Sequence, residues 1–188
     1  MATANIHKLA DVQTTAIGSH TQVWQFAVIL KDAVIGSHCN INCHTFIEND
    51  VKIGNDVTVK SGVFLWDGIT IGNNVFIGPN VTFTNDNMPR SKQYPTNFQR
   101  IFIDNYASIG ANATLMGGIS IGKYALIGAG ALVTKDIPER ALVIGSPARI
   151  VGWLNEDGSK MDLLNDGIYC DNKGNKWHID IDQLIQIN

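Results

Sequence analysis

The dipeptide Ile-Gly recurs every 18 residues, and this recurrence constrains the fold more than any other feature of the chain. It stands at positions 17–18, 35–36, 53–54 and 71–72. Each interval divides by three, because every sixth residue from Ile17 to Phe83 is apolar and a small or β-branched residue follows four places later, as far as residue 81. Six-residue units grouped in threes predict an all-β fold, a parallel β-helix with three flat faces. Residues 18 apart then stack about 4.8 Å from one another.

Composition sets the wider limits. A chain of 188 residues with 45% hydrophobic content can bury one packed core, and its 18 glycines suit corners that need a positive φ. A net charge of −3 argues against nucleic acid as a partner. The three cysteines form no CxxC pair, which favours a reducing compartment. No charged-then-apolar segment opens the chain and no run of 18 apolar residues occurs, so we expect a cytoplasmic protein without a membrane partner.

The six-residue register fails once, and the failure predicts a long loop. The pattern stops at Phe83 and resumes at Ile103, a step of 20 residues that is not a multiple of six. The stretch from Thr84 to roughly Arg100 must therefore leave the coil, and it contains two prolines, which cannot donate to a strand ladder. Long loops on rigid scaffolds are disproportionately functional.

The pattern also ends before the chain does. We predict a β-helix over residues 1–150 and a capping extension over 151–188. Within the extension, Ile168–Cys170 and Lys176–Ile179 flank a turn-like polar stretch, which predicts a β-hairpin. The extension would cover the last coil, whose edge groups would otherwise be unpaired.

An apolar interior leaves only outer faces, corners and subunit interfaces for a site. One outer column, read at steps of 18, carries Val28, Phe46, Phe64 and Thr82. Stacked outward aromatics form an apolar patch of the kind that marks interfaces. Because flat three-sided prisms pack about a threefold axis, we expect a symmetric oligomer.

A polar set of columns meets at one corner, next to the start of the predicted loop. An aromatic ring among carboxylates and amides suits a hydroxylated or amino-bearing substrate, although asparagine and aspartate are also ordinary turn residues. The residues that the 18-residue spacing gathers there are Glu48, Asn49, Asp50, Trp66, Asp67, Asn85 and Asp86.

The histidines give one candidate base. His20 and His38 are 18 apart and should stack as surface residues, like His7 and His178. His44 lies close in sequence to the polar corner and is the histidine that we consider as a general base. A zinc site built from histidines of neighbouring subunits would need about three such ligands to converge, and this alternative stays open.

The segment Ile127–Pro138, followed by Gly145–Arg149, resembles the carboxy-terminal signature of the hexapeptide-repeat acyltransferases. That resemblance implies a left-handed parallel β-helix, a homotrimer, and an acetyl-CoA groove between subunits with no metal. It assigns the backbone of small residues such as Ala129 and Gly130 to the pantetheine arm, and Lys135 and Arg149 to the phosphates. A backbone amide at Tyr106 or at Gly117–Gly118 would polarise the acetyl carbonyl.

A closer resemblance covers residues 6 to 152. The chain is similar there to N-acetyltransferases of nucleotide-linked 3-amino sugars, and most to those that act on dTDP-3-amino-3,6-dideoxyhexoses in surface-glycan biosynthesis. A sister group acts on UDP-2-acetamido-3-amino-2,3-dideoxyglucuronate, and Gly152-Trp153 resembles that group instead. The runs that carry the resemblance are Val23–Phe26, Cys39–Asn42, His44–Val51, Leu65–Gly68, Val75–Asp86 and Pro89–Lys92.

The implied chemistry is transfer of an acetyl group from acetyl-CoA to a sugar amine. Asn85 is assigned to orienting that amine, because the family has an asparagine at this place beside the reacting group. The residues assigned to holding the sugar and nucleotide are Glu48, Asn49, Trp66, Asp67, Asp86, Arg90 and Lys92.

Two other activities stay open at this point. An O-acetyltransferase of the same fold would use His44 as its base, and a zinc hydratase resembling carbonic anhydrase would need bound metal.

Overall fold

The computed structural model describes residues 3–187 as short strands that wind around one axis. The strands are β1 (Asn5–Ile6), β2 (Asp11–Val12), β3 (Gln22–Val23), β4 (Val28–Ile29), β5 (Val34–Ile35), β6 (Asn40–Ile41), β7 (Phe46–Ile47), β8 (Lys52–Ile53), β9 (Thr58–Val59), β10 (Phe64–Leu65), β11 (Ile69–Ile71), β12 (Phe76–Ile77), β13 (Thr82–Phe83), β14 (Ile101–Ile103), β15 (Ser108–Ile109), β16 (Thr114–Leu115), β17 (Ser120–Ile121), β18 (Leu126–Ile127), β19 (Leu132–Val133), β20 (Ala141–Ile144), β21 (Arg149–Trp153), β22 (Asp162–Leu163), β23 (Tyr169–Cys170), β24 (Lys176–Asp180) and β25 (Gln183–Gln186). A short 3-10 helix, Asn165–Gly167, lies between β22 and β23. No helix within the described residues is long and apolar enough to cross a membrane.

Three parallel faces form the coil, which confirms the predicted β-helix. The first face runs β1-β3-β6-β9-β12-β15-β18-β20 and ends in antiparallel β21. The second is divided into β2-β4-β7-β10 and β13-β16-β19, and the third runs β5-β8-β11-β14-β17. Most parallel strand partners are 18 residues apart, as in Ile29↔Ile47, but partners are 17 apart in the first coil and 16 apart between β18 and β20. Across the loop, Ile69 pairs with Ile101 at a separation of 32. The loop therefore inserts 14 residues (32 − 18) into one coil.

The apolar period fills the interior. Every sixth residue points inward, and Ile29, Ile41, Leu65 and Ile77 are each 0% exposed. The small or β-branched residues four places later complete the core, because a narrow triangular coil has room for only one large side chain per face in each turn. No polar site fits inside such an interior, so functional groups lie outside it.

The recurring glycines of the Ile-Gly pairs serve close approach, whereas the positive φ expected of glycines occurs at others, such as Gly62 and Gly130. Gly18, Gly36, Gly54 and Gly72 are absent from the positive-φ residues of the described chain. A Cβ on Gly54 would instead lie 2.7 Å from the carbonyl oxygen of Gly72 in the next coil. The left-handed conformation at this corner falls two residues later, at His20, His38, Asp56, Asn74, Tyr106, Tyr124 and Arg140.

The extension packs on the end of the coil. Trp153 of β21 is 1% exposed and closes the core, and β21 itself crosses the boundary that we predicted at residue 150. Beyond it, β22 to β25 form a separate antiparallel sheet, in which the segments predicted as a hairpin pair through Tyr169↔Trp177.

The Asp171 carboxylate organises the turn between these two segments. Desolvation acts to raise its pKa, but hydrogen bonds from the Asn175 side chain and backbone, from the Trp177 indole and from the Lys173 amide together lower the pKa to about 2.

Arg140 fastens the extension to the coil. Its guanidinium lies between two rings, 5.2 Å from the centre of Tyr124 on the coil and 5.4 Å from that of Trp177 on the extension. It also pairs with Glu156 at 2.8 Å, and its side chain is only 12% exposed. A nearly buried guanidinium that stacks and pairs at once is a strong fixed point between the two parts.

Candidate active site

A network of carboxylates forms where the second and third faces meet. The Asp67 amide donates to Glu48 Oε2 at 2.7 Å, and the Asp50 amide donates to Asp67 Oδ1 at 2.7 Å. Arg100, at the end of the loop, donates from Nη2 to Asp50 Oδ2 at 2.7 Å. At this corner, beyond the ends of the strand ladders, carboxylate side chains thus bond to backbone amides of the neighbouring coil. Glu48, Asp50 and Asp67 lie together, as the spacing predicted, and Arg100 joins them.

The charges of this corner suit a cationic or amino-bearing group. Three carboxylates and one guanidinium leave a formal charge of −2 (−3 + 1) on Glu48, Asp50, Asp67 and Arg100. All three acids are half-buried; the Glu48 and Asp67 carboxylates accept backbone amides, and that of Asp50 accepts from Arg100. Asn49 beside them is exposed, and its Oδ1 accepts a hydrogen bond from the Asp32 amide at 3.2 Å.

Trp66 joins two sections of the second face. Its indole Nε1 donates to the carbonyl oxygen of Phe83 at 2.9 Å, at the point where β10 and β13 do not form a ladder. The ring also packs against Phe46 and Phe64, with centroids 5.8 and 5.9 Å away. The indole therefore replaces a missing backbone donor, a role that the sequence did not indicate. Stacking of Trp66 on a substrate stays a prediction.

Asn85 lies at the neck of the loop. Its carbonyl oxygen accepts a hydrogen bond from the Gln99 amide at 2.8 Å, which closes the loop at its base. Its half-buried carboxamide has no hydrogen-bond partner within residues 3–187, so both polar atoms are free for a ligand. Asp86 Oδ1 accepts from the Met88 amide at 2.8 Å and shapes the first turn. Arg90 and Lys92 follow on the exposed arm, where cations can meet phosphates.

Asn87 is a site-building residue that sequence reasoning missed. Its Nδ2 donates to the carbonyl oxygen of Gly117 at 3.0 Å, and the Gly117 amide donates back to its Oδ1 at 3.1 Å. The same amide donates to Thr84 Oγ1 at 2.9 Å. The side chain thus imitates a strand neighbour and clamps the loop to the next coil. An 18-residue comparison could not reveal this pair, because the insertion places the partners 30 residues apart.

The proposed carbonyl-polarising amides are already occupied. Gly117 donates to the loop as described, Gly118 donates to the carbonyl oxygen of Arg100 at 3.0 Å, and Tyr106 donates to that of Asn73 at 2.9 Å. An amide that bonds within the protein is not free to stabilise a developing oxyanion, so the assignment of an amide near these residues to polarising the acetyl carbonyl stays a prediction.

His44 lies at the edge of the second face that is opposite the acidic corner. Its ring stacks on Phe26 with centroids 5.2 Å apart, and its side chain has no hydrogen-bond partner within the described residues. A groove of about 530 Å³ runs from it across the face to Trp66. The groove thus connects the histidine edge to Trp66, the residue that precedes Asp67 in the chain. Its other lining residues are Phe26, Val28, Thr45, Phe46, Gly62 and Phe64.

The predicted cofactor residues occupy all three corners. Ala129 and Gly130 stand in the same corner column as His44, whereas Lys135 stands in that of Asp67 and Gly117. Lys135 and Arg149 line one cavity of about 330 Å³, so the structure brings these two cations together. Tyr106 lies on the third corner, stacked on Tyr124 with centroids 4.9 Å apart. Within one chain neither Tyr106 nor the corner of Ala129 and Gly130 belongs to the cavity of Lys135 and Arg149.

The remaining histidines behave as the spacing predicted. His20 and His38 stack with centroids 4.8 Å apart and an interplanar angle of 14°. In the part of the chain from residue 3 to 187, no three His, Cys, Asp or Glu side chains are grouped so that they could hold a metal ion.

Comparison with known proteins adds the family. The model described as "Bacterial transferase hexapeptide (six repeats)" matches residues 50–85 and 100–135, which leaves out the loop residues between them. A dTDP-3-amino-3,6-dideoxy-alpha-D-galactopyranose 3-N-acetyltransferase of Aneurinibacillus thermoaerophilus is 52% identical over 168 residues, which cover 89% of this chain and 88% of that protein.

Solved structures agree on the fold. A hexapeptide-repeat acetyltransferase of Vibrio cholerae is 26% identical with a TM-score of 0.57, over 76% of each chain. An N-acyltransferase variant of Bacillus cereus, solved with dTDP and coenzyme A, is 16% identical with a TM-score of 0.53, over 82% of this chain and 83% of that one, and shows the fold alone. By its repeats, its fold and its identity to the Aneurinibacillus enzyme, the chain belongs to the hexapeptide-repeat acyltransferases.

Proposed function

We propose that the protein transfers the acetyl group of acetyl-CoA to the C3 amine of a dTDP-3-amino-3,6-dideoxyhexose, for surface-glycan biosynthesis. The observation that carries the proposal is the 52% identity to an enzyme named for this reaction, over 89% of the chain. A match of that length includes the acidic corner and the loop. The local chemistry agrees, because the corner offers carboxylates to an amine and the exposed loop offers Arg90 and Lys92 to a diphosphate.

The residues present also fit acetyl-CoA. Lys135 and Arg149 stand at the cavity of about 330 Å³, whose apolar part includes Val143 and Ile150. Cations beside an apolar surface match a ligand that carries phosphates and a flat base. Acetyl-CoA supplies an activated thioester, so that the amine nitrogen bonds to the acetyl carbon, the carbon–sulfur bond breaks, and the sulfur leaves with a proton from the amine.

The chain contributes position rather than a strong base. The acidic corner attracts the sugar's ammonium from solution, while the neutral carboxamide oxygen of Asn85 accepts an N–H of the deprotonated amine and aims its lone pair. Sugar amines are less basic than lysine, so a useful neutral fraction exists near pH 7. Positioning of this kind can supply several kcal/mol of the roughly 8 kcal/mol or more by which enzymes lower barriers.

The substrate assignment predicts a preference that a panel assay can measure. In a thiol-release assay with acetyl-CoA, we expect kcat/KM for dTDP-3-amino-3,6-dideoxygalactose to exceed that for UDP-2-acetamido-3-amino-2,3-dideoxyglucuronate at least about tenfold, which corresponds to about 1.4 kcal/mol. The gluco isomer of the dTDP sugar serves as a control for the C4 configuration. A preference for the UDP sugar would assign the protein to the sister group instead. A lack of thiol release with every amine tested would overturn the proposal.

Removal of the His44 imidazole should have a small effect on turnover. Because its imidazole has no orienting partner in the described chain and the reaction needs no strong base, we expect His44→Ala to lower kcat less than about fivefold. A histidine that acts as general base contributes about a hundredfold or more. His38→Ala, which removes an exposed stacked ring, is the matched control. A hundredfold loss specific to His44→Ala would favour the base mechanism of an O-acetyltransferase.

The assembly and location belong to the same proposal. The second face presents Phe26 at 51% and Phe64 at 49% exposure around an apolar groove, and a neighbouring subunit would cover it in a homotrimer. Light scattering on the purified chain tests this. Cys39, Cys43 and Cys170 are free thiols, which supports a reducing, cytoplasmic setting where acetyl-CoA and nucleotide sugars are available.

A further inference from the structure

The cavity that holds Lys135 and Arg149 has a wall from the C-terminal extension. Asp182 lines it together with Asp136, whose Oδ1 accepts a hydrogen bond from the Ser120 amide at 2.7 Å. Two cations and two carboxylates give this cavity a formal charge of zero (+2 − 2). Without Asp182 the charge would be +1. One residue of the extension therefore decides whether the cavity attracts an anion electrostatically.

The contact that Asp182 makes is easily exchanged. Its Oδ2 lies 4.0 Å from Lys135 Nζ, and the two side chains are 77% and 64% exposed. A water-exposed ion pair at this separation is weak, since solvent and salt screen it. A phosphate carries more charge than a carboxylate and has more acceptor oxygens, so it can take the ammonium from Asp182.

The turn that carries Asp182 is strained and lies apart from the Arg140 contacts that hold the extension to the coil. β24 and β25 pair up to Asp180↔Gln183, which leaves Ile181 and Asp182 as a two-residue turn with φ of 44° and 61°. Such turns favour glycine, asparagine and aspartate, and a β-branched residue at positive φ is an outlier. Ile181 is also 90% exposed. Since Arg140 anchors the extension elsewhere, this turn can shift without releasing it.

We infer that the β24–β25 turn is an acidic flap over the phosphate-binding cavity, in which Asp182 competes with a cofactor phosphate for Lys135 and so lowers the affinity for coenzyme A. The inference rests on the proposed function, because it takes coenzyme A as the ligand of this cavity. It gives the extension a part in the reaction, as a wall that tunes the release of the nucleotide end of the cofactor.

Calorimetric titration of the full chain with coenzyme A tests the flap. Asp182→Asn removes the charge but keeps a residue that tolerates a positive φ, so the turn should persist. We expect the variant to bind about threefold more tightly in low salt, and the gain to fade near about 0.5 M salt because screening weakens the competing pair. Asp180→Asn, in the same hairpin but outside the cavity lining, should bind like wild type.

The remaining outcomes separate the inference from the function. In a Lys135→Gln background, Asp182→Asn should bring no gain, because the competition then has no cation. Unchanged or weaker binding by Asp182→Asn, with wild type still binding coenzyme A, would overturn the flap and leave the acetyltransferase proposal intact. Failure of wild type to bind coenzyme A at all would overturn both.

Discussion

Asn85→Ala should lower kcat at least tenfold, which corresponds to about 1.4 kcal/mol of lost transition-state stabilisation. The structure supplies the reason, since the Asn85 carboxamide is half-buried at the loop neck and has no hydrogen-bond partner within the described chain. Its carbonyl oxygen keeps the loop closed by accepting a hydrogen bond from the Gln99 amide at 2.8 Å. An alanine would keep this main-chain contact. The loss should therefore appear in turnover, measured by thiol release at saturating acetyl-CoA.

A loop residue of different character provides the control for Asn85. Met88 is 78% exposed, so Met88→Ala should leave kcat within about twofold of wild type, as surface substitutions usually do. The melting temperature and the affinity for coenzyme A should stay unchanged in Asn85→Ala. Near-normal turnover of Asn85→Ala would remove this residue from the mechanism.

Gly54→Ala should destabilise the coil by about 3 kcal/mol, at the upper end of what overpacking costs. The new Cβ would lie 2.7 Å from the Gly72 carbonyl oxygen and 2.6 Å from Asn73 Oδ1. Neither atom can retreat freely, because Gly72 belongs to the next coil and Asn73 Oδ1 accepts the Asn55 amide at 2.7 Å. In a chain of this size we expect the melting temperature to fall by about 6–12 °C, followed by circular dichroism.

Gly152→Ala is the matched control for that substitution. Gly152 also has no positive φ, but a Cβ there would meet no atom within 4 Å. The change should leave stability within about 0.5 kcal/mol, since it removes backbone freedom from the unfolded chain without adding a clash. Equal melting temperatures for Gly54→Ala and Gly152→Ala would contradict the close-approach explanation of the recurring Ile-Gly.

Much of the site could be predicted from the spacing. A parallel coil places residues 18 apart in contact, so the 18-residue period alone is enough to bring Glu48, Trp66 and Asp67 to one corner. The failed count after Phe83 located the loop for the same reason. What the spacing could not supply was the identity of hydrogen-bond partners, because Trp66 bonds to a carbonyl and Asn87 clamps Gly117 across the insertion.

The sequence did not show how the backbone is used at the corners. Composition could not show which residues take a positive φ: at the Ile-Gly corner His38 and Asp56 adopt it, because the corner needs both a left-handed residue and a separate position without a side chain. Nor could it show that the amides of Gly117, Gly118 and Tyr106, near which we expect a donor to the acetyl carbonyl, bond within the coil and loop. A sequence records which side chains face outward but not which backbone groups remain unpaired.

The sequence by itself determined the frame of this protein, namely a β-helix with a loop at one corner and aromatic and acidic columns on its surface. It could do so because every coil repeats the same local geometry, so that residues one period apart in the sequence are neighbours in space. Only the tertiary structure decided how Asn87 closes the loop and that Asp182 returns to the Lys135 cavity. Those contacts join segments that no fixed period relates, and the packing of the whole chain sets them.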